Sequence, residues 1–109
     1  MAELTLVEVF GTGATQDSSS ITIQKAALPR LTASASNSAE SLLTGIVLMA
    51  QTNLAQTNFD ANVDQSIYIG PGYPSFTNRG TNNDQYRVDQ IIVNLAKIDT
   101  ASVIDPDNY

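Results

Sequence analysis

The chain of 109 residues contains neither cysteine nor histidine. The first absence excludes a disulfide framework and a thiolate metal site. The second removes the side chain that titrates near neutrality, so any hydrolysis or group transfer would fall to carboxylates shifted by burial. Charge is also scarce: five bases stand against eleven acids, for a net charge of −6. Lys25, Arg30, Arg79, Arg87 and Lys97 never cluster along the chain, whereas an array of phosphates needs several cations on one face. Neither a nucleic-acid partner nor an anionic membrane is expected. The longest apolar run, "LLTGIVLMA" at 42–50, is interrupted by Thr44 and Gly45 and reaches about half of the ~20 residues that a spanning helix requires. "MAELTLVEVF" opens with an acid and no basic flank, unlike a secretory signal. A soluble protein is expected.

What the chain has in quantity is neutral polarity. Ser, Thr, Asn and Gln make up 37 of the 109 residues, and such a surface repels copies of itself less than a charged one does. The hydrophobic fraction of 42% suits a folded chain. The length supports a single domain over 1–109, with a core at 14–100, a candidate N-terminal arm at 1–13 and a tail at 101–109.

The patterning predicts strands. Leu4, Leu6 and Phe10 alternate with Val7 and Val9, and Ile21 and Ile23 alternate with polar neighbours in "SITIQK". Gly11, Gly13 and three serines form a flexible connection between the two, and Pro29 ends the second. "NSAESLLTGIVLMAQTNLAQ" reads in two ways. One is a helix capped by Asn37 or Ser38, with Glu40 in its first turn. The other is a long strand, favoured by the cost of Gly45 to a helix and by Thr44, Ile46 and Val47. A further strand is expected from Val63 to Ile69. The clearest is "YRVDQIIVNLAKI", with Ile91, Val93 and Leu95 on one face and Val88, Ile92 and Ile98 on the other. The expectation is therefore an all-β fold, a β-sandwich or small barrel-like domain with extended arms.

Between the last two strands lies "IYIGPGYPSFTNRG", which gathers Tyr68, Tyr73 and Phe76 among Gly70, Pro71, Gly72, Pro74 and Gly80. Pro71 with a positive φ at Gly72 predicts a rigid turn of type II character. The aromatics then project as a lid on the core, a protein contact or a stacking platform for a glycan. Arg79 and Arg87 flank "GTNNDQY" as candidates for pairing with a carboxylate. The contact loop is thus Tyr68, Tyr73, Phe76 and Arg79, for protein or glycan.

No catalytic, cofactor-binding or metal residues are assigned. Asp60, Asp64, Asp84 and Asp89 could supply an acid/base pair, but most of them sit beside Asn or Gln as ordinary turn residues do. "DANVDQ" begins like a calcium loop with Asp60, Asn62 and Asp64, then fails: Gln65 stands where glycine is needed and Pro71 where the bidentate acid belongs. The Gly70-Pro71-Gly72 unit lacks the spacing of a nucleotide-binding loop.

From "SITIQKAALPRL" through "IIVNLAKIDT", with flexible Gly/Ser connections and loose ends, the chain resembles in style the small β-rich virion proteins of tailed bacteriophages, capsid decoration or cement proteins above all. No specific motif carries the resemblance and no functional residue transfers. It implies a non-enzymatic virion protein that staples a shell through symmetric contacts, partnered by a major capsid protein and copies of itself, with arms that order on assembly. Neck, tail or baseplate components and a glycan-binding module are the alternatives.

Overall fold

Thr5 opens the fold with a capping box. Its hydroxyl accepts from the Glu8 amide at 3.2 Å while the Glu8 carboxylate accepts from the Thr5 amide at 3.0 Å, so two amides that a helix start leaves unpaired are satisfied. The helix that follows, α1 (Leu6–Phe10), is tied to the body by Asn53, whose Nδ2 donates to the Glu8 carbonyl at 2.8 Å. The computed structural model describes residues 3–99 and 103–109. Within the candidate N-terminal arm, Leu4 and Val9 lie against the central hydrophobic cluster. Of the tail, 103–109 ends in a 3-10 turn, Pro106–Asn108, and residues 100–102 lie outside the description.

A two-residue hairpin comes next, β1 (Thr15–Gln16) with β2 (Ile21–Thr22). Asp17 organises its turn: one carboxylate oxygen accepts from the amides of Ser19 and Ser20 at 2.8 and 2.9 Å. After a 3-10 turn at Lys25–Ala27, the ambiguous middle forms α2 (Ala39–Asn53). The expected strand there is corrected to a helix. Ser38 caps it by accepting from the Ser41 amide at 3.1 Å. Gly45 is the contact point for the buried Leu28, since a Cβ on Gly45 would stand 3.2 Å from the Leu28 Cβ. The residue whose propensity argues against a helix is there for packing, and tertiary contact overrides propensity.

A six-residue helix, α3 (Gln56–Ala61), leads into a turn through the buried Asn62 and Gln65. The Gln65 amide group donates to the carbonyls of Ala55 at 3.2 Å and Ile67 at 2.8 Å. The strand predicted from Val63 therefore starts only at Ile67. Four strands remain, β3 (Ile67–Pro71), β4 (Ser75–Arg79), β5 (Asp84–Val88) and β6 (Ile91–Leu95). β3 pairs antiparallel with β6, and β4 with β5. The single long strand expected from Tyr86 onward is two, interrupted at Asp89 and Gln90.

The all-β expectation is overturned. Among the described residues three α-helices accompany three two-stranded antiparallel sheets, and no sheet closes into a sandwich or barrel. Alternation in Leu4–Phe10 was too short to specify a strand once Thr5 and Glu8 offered a cap. The buried apolar residues are few, Ala14, Leu28, Ala50, Leu54 and Ile69. Ala50 and Leu54 of α2 meet Ile69 of β3, flanked by Leu4, Val9, Ile67 and Ile91. Around this small centre the chain spreads widely: its radius of gyration is 16.5 Å, against about 13 Å for a compact domain of this length.

Candidate functional site

The four strands from Ile67 to Leu95 make one long two-stranded ribbon. Pro71 pairs with Ile91 and Ser75 with Val88, so Gly72, Tyr73 and Pro74 oppose only Asp89 and Gln90. One extra residue on one side is a β-bulge, which bends and twists a ribbon without reversing it. The expected type II turn at Gly72 is corrected accordingly, and Gly72 is absent from the positive-φ glycines, which are Gly11, Gly13 and Gly80. Glycine is required there for another reason. Gln90 occupies the place a Cβ would take, accepting at its backbone carbonyl from the Gly72 amide at 2.7 Å and at its side-chain oxygen from the Tyr73 amide at 3.0 Å.

The chain reverses later, across Gly80–Asn83. Gly80 and Asn83 have φ of 85° and 55°, a region glycine enters freely and asparagine more readily than most residues. Thirteen residues from Ile67 to Arg79 extend about 40 Å at strand spacing. The outer half is open to solvent: all ten residues of β4 and β5 are exposed, and no other strand pairs with either edge among the described residues. Half of the backbone donors and acceptors of each strand therefore point away from the partner strand.

The predicted contact residues are distributed along this ribbon and do not converge. Tyr68 sits at its root, with its ring 4.7 Å from that of Phe59. Tyr73 lies in the bulge, 86% exposed. Phe76 opposes Arg87 on one face, while Arg79 lies on the other with its guanidinium 5.1 Å from the Tyr86 ring. A stacking platform for a sugar needs its rings on one side, which this arrangement does not give. Arg87 does find a carboxylate, Asp89 at 2.7 Å, in an exposed pair worth about 0–1 kcal/mol. Sequence reasoning missed Tyr86, Val88 and Gln90 as parts of the same unit. Their signal was the pairing of "SFTNR" with "DQYRV" across "GTNN".

The carboxylates considered for chemistry are split. Asp84 and Asp89 belong to the ribbon, while Asp60 and Asp64 line an open depression of about 1010 Å³ at its root, together with Val63, Ile98 and the segment after β6. Among the described residues no cluster of three or more acids, His or Cys suited to a metal ion is present, and no helix is long and apolar enough to cross a membrane. Compared with known proteins, the chain matches no family model, no curated protein and no solved structure.

Proposed function

We propose that the chain is a non-enzymatic structural subunit that completes its fold by assembly, with the β4–β5 ribbon as its contact arm. One observation carries this reading. The accessible surface is 8144 Å², whereas a compact monomer of this mass exposes about 5,800 Å². The excess of about 2,300 Å² is well above the ~800 Å² that one partner buries in a standard interface and lies in the per-subunit range of obligate assemblies. Its composition agrees: Tyr73, Phe76, Tyr86, Val88, Val63 and Ile98 are all large apolar side chains left exposed. An isolated two-stranded ribbon is at best marginal in water and gains stability when its edges or faces are covered.

The resemblance to virion proteins gives this reading its specific form, a capsid decoration or cement subunit held by the major capsid protein and by copies of itself. The test is to band particles from the source culture on a density gradient and quantify the chain by mass spectrometry. A fixed whole-number ratio to the shell protein is the expected result. Its absence from every particle fraction would remove the virion assignment.

A further inference from the structure

We infer that the β4–β5 ribbon of one copy docks into the root depression of a second copy, joining chains head to tail; the inference rests on the assembly reading above and supplies its two contact surfaces. The depression combines apolar and acidic character. Val63 is 98% and Ile98 85% exposed, and Asp60 and Asp64 stand beside them, neither forming an ion pair among the described residues. The cation on its lining, Lys97, directs its ammonium to the Val103 carbonyl at 2.7 Å. The ribbon has the complementary chemistry. Residues 75–89 hold Arg79 and Arg87 against Asp84 and Asp89, no net charge, and Asp89 takes up Arg87, so Arg79 is the cation the ribbon offers to a partner's acids. Arg79 stacks on Tyr86 and has no carboxylate within 4.0 Å among the described residues, so a desolvating partner that brings acids and aliphatic groups satisfies both.

The geometry decides whose ribbon fills whose depression. Ser66 and Ala96 line the depression and immediately adjoin Ile67 and Leu95, the root pair of the ribbon. The Arg79–Asp84 end lies twelve residues further on, about 40 Å away at strand spacing. The ribbon cannot reach its own depression without breaking its pairing, so the occupant comes from another copy. Each copy then offers two different surfaces, and an assembly of this type closes into a ring or continues as a filament. Two standard half-interfaces bury about 1,600 Å² per copy, within the surface excess.

The test is sedimentation equilibrium on the full chain and two variants, one altered on the ribbon (Arg79→Glu with Tyr86→Ala) and one in the depression (Val63→Arg). The wild type is expected to exceed a dimer as concentration rises, and each variant alone to lose association by at least about tenfold. An equimolar mixture of the two retains one intact ribbon and one intact depression, so it forms a heterodimer and stops there. Arg79→Glu alone, a milder change, is expected to weaken association with an unchanged circular dichroism spectrum, which separates loss of contact from loss of fold. Variants that assemble as the wild type does, or a mixture no better than its components, overturn this contact while leaving the assembly reading standing. A wild type that remains monomeric at about 1 mM also overturns it, and the particle experiment decides the assembly reading separately.

Discussion

Gln90 holds Gly72 and Tyr73 together, its backbone carbonyl accepting from the first amide at 2.7 Å and its side-chain oxygen from the second at 3.0 Å. This clasp joins the packed half of the ribbon, β3–β6, to the projecting half, β4–β5. Gly72→Ala would place a Cβ onto the Gln90 side chain, displacing it and freeing the Tyr73 amide. The expected cost is about 1 kcal/mol, seen as faster hydrogen exchange at Tyr73. In a Gln90→Ala background the obstruction is gone, and Gly72→Ala should change exchange little further. Equal effects in both backgrounds would show that the clasp does not constrain position 72.

The small core makes single truncations expensive relative to the whole. Ile69 is 6% exposed and meets Ala50 and Leu54, so Ile69→Ala should cost about 2–5 kcal/mol through lost burial and the cavity left behind. Urea unfolding monitored by circular dichroism measures this. Tyr86→Ala, on the outer ribbon at a residue 45% exposed, should shift the same transition of the isolated chain by less than about 0.5 kcal/mol.

Asp17 is held below the ordinary carboxylate value of 3.8 by the amides of Ser19 and Ser20, with the Ser20 hydroxyl adding to them. A carboxyl with a depressed folded-state pKa stabilises the fold above its unfolded value and loses that contribution as pH falls through the folded value. The difference in stability between the wild type and Asp17→Ala should therefore be flat above about pH 5 and shrink progressively as the pH falls from there through 3.8 and the lower folded-state value. Carbon-detected titration of the Asp17 carboxyl checks the direction. A midpoint at or above 3.8 would contradict the turn geometry.

Parts of this fold were legible in the sequence, and the reasons the rest was not are local. The alternation of Ile91, Val93 and Leu95 marked a real strand, with these residues opposite Pro71, Ile69 and Ile67. The Ser38 cap and Glu40 were visible as one reading of the middle segment, yet the packing of Leu28 on Gly45 has no signature in a single sequence. Glycine and proline at 70–74 announced irregular backbone correctly in kind. They did not reveal a bulge, because a bulge is defined by the register of the strand opposite, seventeen residues away at Gln90. The contact loop was found as a stretch, but its side chains separate because residues three apart, such as Phe76 and Arg79, fall on opposite faces of a strand.

The helix start at Ser38 gives a further check on the correction from strand to helix. Ser38→Ala removes the acceptor for the Ser41 amide and should cost about 1 kcal/mol, whereas Ser38→Asp should retain most of the stability. An unchanged stability in Ser38→Ala would argue that the helix is fixed by packing alone.

The central proposal is that this chain carries more surface than it can satisfy alone, and its self-assembly arm is that copies of the chain cover part of it. The most direct measurement is the thermal unfolding midpoint of the wild type as a function of protein concentration, since association with the folded state raises the midpoint by mass action. A midpoint that climbs by several degrees over about a thousandfold range in concentration is the predicted result. A midpoint that stays constant over that range, for a chain sedimenting as a monomer throughout, would contradict it.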